Sequence, residues 1–215
     1  MSAAKVTIID YGLGNILSVQ RGFEHFNADV IVTSKPEIIL ASERVVLPGV
    51  GAFPVGMKAL SDLELVPVIK ELAKLGTPML AICLGMQLVM EESEEFETTA
   101  GLGLIPGRVI PIPVEGEKGK AQKVPHVGWN SLIPALQEPT WKATLLQENV
   151  SGDYMYFVHS FMAVPSKVEH HLADTLYGGQ RVTAMVAKEN ITGCQFHPEK
   201  SGNQGLKILK SFISK

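Results

Sequence analysis

Cysteine is scarce in this chain: Cys83 and Cys194 are the only two in 215 residues. Neither sits in a spaced Cys/His cluster, so a disulfide framework and a zinc site are not expected. Charge is also thin. Asp, Glu, Lys and Arg make up 19% of the residues and the formal net charge is -3. No basic excess marks a nucleic-acid or anionic-membrane partner. No apolar run is long enough to span a bilayer. The first apolar stretch, residues 6–9, is broken at once by Asp10, too short for the core of a signal peptide. These absences point to a cytoplasmic protein. In a reducing compartment an isolated cysteine is either a small buried hydrophobe or a reactive thiol.

What is present is a core: hydrophobic residues make up 46% of the chain. The length suits one sizeable α/β domain, taken as 1–215. The first half alternates strand and helix signals. Residues 6–9 read as a buried strand, followed by the turn Asp10-Tyr11-Gly12-Leu13-Gly14-Asn15. Asn15 is placed to cap a helix whose Ile16, Val19, Phe23 and Phe26 recur at helical spacing. Strands are expected at 30–33, 44–47 and 79–82, and helices through Ala59-Leu60 and over 63–75, with Gly76 as a stop. A helix is expected to begin over 87–90 and give way in the acidic stretch 91–97. Such alternation implies a three-layer fold with a mostly parallel central sheet and helices on both faces. The middle changes character. Residues 104–114 read as irregular β, 115–123 as a polar surface loop, and 154–163 and 182–187 as antiparallel strands, so a small antiparallel section is expected as well. Residues 192–196 form a strand leading into His197-Pro198-Glu199, and 203–214 a closing helix with Leu206, Leu209 and Phe212 on one face.

The chemistry concentrates at two segments. In Met79-Leu80-Ala81-Ile82-Cys83-Leu84-Gly85-Met86-Gln87 a buried strand meets a cysteine flanked two positions away by small residues, and a helix begins. That is the pattern of a nucleophile elbow. Small neighbours permit the sharp turn, and a helix start favours a thiolate. Local sequence alone leaves a core cysteine at a strand end as the other reading. In the second segment, Pro198 biases His197 towards an extended backbone. Residues i and i+2 of an extended chain share a side, so Glu199 can orient the imidazole of His197. This supplies base and orienter and lacks only a nucleophile. Cys194, mid-strand among Ile191, Gly193 and Phe196, has no helix start after it and reads as packing.

A third segment, Leu47-Pro48-Gly49-Val50-Gly51-Ala52-Phe53, is a glycine-rich turn after a strand. Its N–H groups could face an oxyanion, or it could be a plain strand-to-helix turn. It lacks the Lys-Ser/Thr of a phosphate loop, and Gly12/Gly14 lack the third glycine of a dinucleotide fingerprint.

In this order the elbow, the glycine-rich turn and the His-Pro-Glu segment resemble the class I glutamine amidotransferases. Four further blocks are similar to one branch of them, the glutaminase subunits of imidazole glycerol phosphate synthases. They are residues 10–15, residues 48–53, Pro125-His126-Val127-Gly128-Trp129-Asn130 and Tyr156-Phe157-Val158-His159-Ser160-Phe161. The resemblance runs from Val6 to Ser214. It departs at Ala81, where many superfamily members carry Gly; Ala is small, and the turn is expected to survive. The resemblance implies that Cys83 attacks the side-chain amide of L-glutamine, that His197 moves the proton and that Glu199 holds His197. It implies an oxyanion hole from the backbone at Val50, Gly51 and Leu84, and glutamine contacts at Gln87, Glu95, His159, Ser160 and Phe161. No cofactor or metal is implied. Ammonia would pass to a separate (β/α)8-barrel cyclase subunit in a heterodimer serving histidine biosynthesis, with Asn15, Trp129 and Lys200 near the docking face.

Taken without the resemblance, several of these residues have plainer readings. Glu95 lies in a charge run that reads as a solvated face, and Gln87 is an ordinary residue of a first helical turn. His126 and His159 read as hydrogen-bonded core histidines, and Trp129 as packing. His170-His171 reads as a surface strand or turn. A different amidotransferase, a catalytically silent regulatory subunit and a cysteine peptidase are the competing functions.

Overall fold

The computed structural model describes residues 3–116, 119, 121–135 and 141–214, so the expected loop at 115–123 lies partly outside the described residues. In chain order the first half runs β1 (Lys5–Ile9), α1 (Ile16–Glu24), β2 (Asp29–Thr33), α2 (Pro36–Leu40), β3 (Val45–Leu47), α3 (Phe53–Asp62), α4 (Leu65–Lys74), β4 (Met79–Ile82) and α5 (Leu84–Leu88). Then come β5 (Met90–Ser93), β6 (Thr99–Ala100), β7 (Ile105–Pro111), β8 (His126–Pro134), β9 (Tyr154–His159) and β10 (Phe161–Pro165). The chain closes with β11 (His171–Tyr177), β12 (Gln180–Lys188), β13 (Ile191–Cys194), a 3-10 turn at Pro198–Lys200 and α6 (Gly202–Ile213).

Nine strands form one sheet in the order β2-β1-β3-β4-β13-β12-β11-β8-β9. Strands β2, β1, β3, β4 and β13 pair in parallel, and β12, β11, β8 and β9 extend the sheet antiparallel. A second sheet has four strands in the order β10-β7-β5-β6. The α/β expectation holds, and the antiparallel strands continue the parallel sheet as well as building the smaller one.

Helices cover both faces of the parallel part, and the strand sequences show why. Along β4, Met79 and Ala81 bury against the α3–α5 side, while Leu80 and Ile82 bury against the α1/α6 side. A strand covered on both faces reads as an unbroken apolar run. Asn15 accepts a hydrogen bond from Ser18 N–H at 3.4 Å and caps α1. Phe23 of α1 meets Phe212 of α6 with ring centres 6.0 Å apart.

Several elements differ from expectation. Helix α5 ends at Leu88, and Met90–Ser93 is strand β5 rather than the continuation of a helix. Pairing of β5 to both β7 and β6 overrides helix propensity there. The stretch 154–163 is not one strand. It divides at Ser160, with β9 in the large sheet and β10 in the small one. Helix α2, opened by Pro36 at its first position, and strands β8 and β11 had no clear periodic signal. His171 opens β11 and bonds Asp174 at 2.5 Å, while His170 is buried in a 3-10 turn. Among the described residues no helix is long and apolar enough to cross a membrane.

Candidate active site

Cys83 sits between β4 and α5 with φ 54° and ψ -108°. Such a backbone at a non-glycine residue costs about 1–3 kcal/mol and persists only where the surroundings enforce it. Here they do. Cys83 N–H donates to Cys194 O at 2.7 Å, and Leu84 N–H to Gly49 O at 3.3 Å. Gly85 makes the turn possible: a Cβ there would lie 1.9 Å from the Leu47 carbonyl oxygen. Ala81, fully buried and in strand geometry, is accommodated.

The imidazole arrives by strand register. Strand β13 runs parallel to β4 with Cys194 opposite Ile82, which puts residues 195–197 beside the elbow. His197 is in extended geometry, φ -98° and ψ 97°. Glu199, however, lies in the 3-10 turn that follows, so the pair is not held by a continuous extended chain as the sequence suggested. Proline's fixed φ opens such a turn readily, and Lys200 N–H closes it on the His197 carbonyl at 3.0 Å. The contact survives the change: His197 Nδ1 and Glu199 Oε1 are 2.9 Å apart, and both side chains are buried. Ser201 fastens this segment to β9, donating to His197 O at 2.6 Å and accepting from Tyr156 N–H at 3.0 Å. His197 N–H donates to Tyr156 O at 3.0 Å.

Nε2 of His197 is buried and makes no hydrogen bond in this arrangement. Burial opposes charge on the ring, but the neighbouring Cys83 thiol and the Glu199 carboxylate push its pKa up to about 10. Cys194, fully buried, has its thiol pKa pushed well up by burial, as suits a packing residue.

A cleft of ≈ 360 Å³ opens over Cys83. Its lining brings together every residue expected at the oxyanion and substrate positions: Val50, Gly51, Leu84, Gln87, Glu95, His159, Ser160 and Phe161. Pro125 and Val158 complete it. Glu95 is not a solvated residue of a charge run. It is buried, and its Oε2 accepts Phe53 N–H at the start of α3 at 2.7 Å, where the helix dipole favours a carboxylate. Gln87 Nε2 donates to Phe161 O at 3.1 Å.

The far wall carries a histidine pair. His159 Nδ1 lies 2.8 Å from Phe161 O, so it bears the proton. Its Nε2 therefore accepts from His126 Nδ1 at 3.0 Å. Burial holds both rings neutral, lowering the His126 pKa and pushing that of His159 down to about 3.

Two further buried polar groups stand near the thiol without a sequence motif of their own. Gln195 is fully buried, and its Nε2 approaches Cys83 Sγ at 3.7 Å. Its signal was a lone amide in an otherwise apolar strand end. Tyr11 has a buried hydroxyl with no hydrogen-bond partner, its pKa raised by burial and by the Cys83 thiol. It abuts the glycine-rich turn, where a Cβ on Gly49 would lie 2.2 Å from the hydroxyl oxygen.

Of the residues expected at a docking face, two are exposed and the third opens a helix packed nearby. Trp129 is half-exposed on β8 and meets Tyr156 edge-on at 5.9 Å. Lys200 is exposed on the 3-10 turn, and α1, opened by Asn15, packs on that turn.

Residues 7–215 match the family model described as "Glutamine amidotransferase class-I", and the chain belongs to that family of enzymes. It is 49% identical over 210 residues to "Imidazole glycerol phosphate synthase subunit HisH 1" of Legionella pneumophila (strain Lens), covering 98% of this chain and 99% of that one. It is 45% identical over 208 residues to the HisH subunit of Bacillus cereus (strain G9842), covering 96% and 93%. Within the class it therefore stands in the HisH branch. Among solved structures it resembles one described as "Crystal structure of glutamine amidotransferase", with TM-score 0.71, 13% identity and 97% of each chain covered. It also resembles PurLQS from Thermotoga maritima, with TM-score 0.69, 17% identity and 99% of each chain covered. At those identities the likeness is one of fold.

Proposed function

We propose that the cleft hydrolyses L-glutamine and that the chain, as a single domain, is the glutaminase subunit of an imidazole glycerol phosphate synthase. One observation carries the chemistry. A thiol on a strained elbow forms the floor of the cleft, and beside it stands an imidazole held by a buried carboxylate at 2.9 Å. The Cys83 sulfur attacks the amide carbon of glutamine. The carbon–nitrogen bond breaks, and ammonia leaves with a proton from His197, whose raised pKa keeps the ring charged at neutral pH. The thioester is then opened by water, with His197 accepting the water's proton, and glutamate departs. Glu199 orients the ring throughout. Gln87, Glu95, His159, Ser160 and Phe161 surround the amino-acid end of the substrate. No cofactor enters the reaction so written.

The negative oxygen formed in these steps needs N–H donors. Val50, Gly51 and Leu84 are the candidates, and Leu84 N–H is engaged by Gly49 O at 3.3 Å. The hole is thus closed while that bond stands. Docking of a (β/α)8-barrel cyclase on the rim marked by Asn15, Trp129 and Lys200 opens it and receives the ammonia, in the cytoplasm. The names of the HisH relatives, each a synthase subunit, support a partner of this kind. Cys83→Ser in the assembled synthase tests the reading. Turnover with glutamine is lost by more than about 10³-fold, while turnover with free ammonia persists. Retained glutamine turnover, or loss of both, would overturn it.

A further inference from the structure

Gln195 lies outside the roles given above, yet it touches the reacting atom. A fully buried primary amide must place two N–H donors and one oxygen. Its own backbone N–H is fixed to Ala184 O on β12 at 2.8 Å, so the side chain cannot turn away to solvent. Amide orientation is ordinarily ambiguous, because oxygen and nitrogen look alike. Here the contacts resolve it. Phe161 O is a backbone carbonyl and can only accept, so the end of Gln87 facing it at 3.1 Å is the NH2 group. The same NH2 lies 3.1 Å from the Gln195 side chain, which must therefore present its oxygen. The remaining end of Gln195, its NH2, is left facing Cys83 Sγ at 3.7 Å. Flipping Gln87 would set its oxygen against the Phe161 and Gln195 oxygens, and flipping Gln195 would set N–H against N–H at Gln87 and an oxygen lone pair against sulfur. The chain Phe161 O, Gln87, Gln195, Cys83 is thus locked in one sense, and it ends in a donor aimed at the thiol.

We propose that Gln195 is a catalytic residue of the glutaminase reaction: its side-chain N–H, oriented by Gln87, holds the sulfur in the thiolate state and ready to attack. The proposal rests on the reading of Cys83 as nucleophile. A hydrogen bond donated to sulfur is stronger when sulfur is negative, so it favours the ionised thiol. It accompanies the imidazolium of His197 without duplicating it. His197 can carry a proton to ammonia, whereas a carboxamide cannot, so Gln195 holds charge and His197 moves protons. A residue that merely fills space would alter stability and leave the pH response of the thiol untouched.

The test uses the full chain and iodoacetamide, with Cys83→Ser as the blank for Cys194. Alkylation rates are measured between about pH 6 and pH 10, the range over which a thiol ionises. Gln195→Met, of similar length and without a donor, is expected to react about tenfold more slowly at neutral pH and to converge with wild type at high pH. Gln195→Glu is expected to be slower still, because a carboxylate then faces the sulfur. Superimposable profiles would overturn the proposal, as would a slowing equal at every pH, which reports access rather than ionisation. If Gln195→Met does not fold, judged by its thermal melt, Gln195→Asn draws the donor back by one methylene and carries the same comparison. Glutamine turnover by Cys83→Ser decides the nucleophile separately. A dead Cys83→Ser beside an unchanged Gln195→Met profile removes this inference and leaves the proposed function standing.

Discussion

For its chemistry the large sheet divides at the β4–β13 pairing, into a parallel part of β2, β1, β3 and β4 and an extension made of β13, itself parallel to β4, with the antiparallel strands beyond it. In the parallel part, β4 ends at the thiol, and the glycine-rich turn after β3 brings the backbone N–H groups. In the extension, β9 and the segment after β13 bring the imidazole, its carboxylate, Gln195 and one wall of the cleft. The parallel half places its groups by sharp strand-to-helix turns, under local strain. The extension places its groups by register and by side-chain hydrogen bonds, with ordinary backbone at His197. The seam is the β4–β13 pairing. A one-residue slip there would turn His197 away from the thiol. Strain therefore sets the thiol at the cleft, while cross-strand bonding aligns the imidazole and amide beside it.

Breaking the second half while sparing the first should have the largest effect. Glu199→Gln keeps size and burial but removes the charge that holds His197. Glutamine turnover in the complex is expected to fall roughly 10²–10⁴-fold, with Cys83 still alkylated. Unchanged turnover would mean that Ser201 and Tyr156 alone align the ring. Breaking the first half comes next. Gly85→Ala sets a methyl against the Leu47 carbonyl and is expected to lower unfolding stability by about 3 kcal/mol, measured in urea. A near-neutral effect would mean that the elbow is not a tight device.

The smallest effect sharpens the comparison through pH. His159, on the wall supplied by the extension, is held down to about 3 by burial. Between its unfolded pKa near 6.5 and that value, the unfolded chain binds the extra proton. Stability therefore falls as pH falls through this window, and His126, also lowered, adds in the same direction. From pH 6.5 to pH 5.5 the His159 loss is about 1 kcal/mol, with a smaller slope expected in His159→Gln. His197 acts oppositely. Its folded pKa of about 10 lies above the unfolded value, so its contribution is full below pH 6.5 and fades as pH rises towards 10. A stability profile flat from pH 6.5 to 5.5 would contradict a neutral His159.

The parallel half was the more legible of the two. Its strands are unbroken apolar runs, and the elbow is written in consecutive residues. In the extension, periodicity marked 154–163 as strand but could not show that its two ends join different sheets. Glu95 looked solvated because four other glutamates surround it between 91 and 97. In the bend after β5 its N–H donates to Ser93 Oγ and its carboxylate accepts Phe53 N–H, which bury it instead. Pro198 was read as extending the chain, whereas it opens a 3-10 turn. Gln195 and Tyr11 act across long separations, 112 residues in the case of Gln195 and Cys83. No local pattern encodes such a contact, although a lone amide beside Phe196 in a buried strand end is a cue that a partner must exist.

The carbonyl of Phe161 has a consequence for handedness. It accepts from both Gln87 and His159, which uses both of its lone pairs, and the Ser160 carbonyl accepts Ile112 N–H at 2.9 Å. The Phe161 carbonyl therefore has no lone pair left for a guest. Under the proposed function, the ammonium end of glutamine finds no acceptor at Phe161 O and turns to the Glu95 carboxylate that lines the same cleft. In that reading the side-chain amide lies at Cys83 and the ammonium at Glu95, two fixed points at opposite ends of the guest. The carboxylate is then left one direction for each hand of the molecule, and under the proposed function the cleft is expected to accept glutamine of one hand.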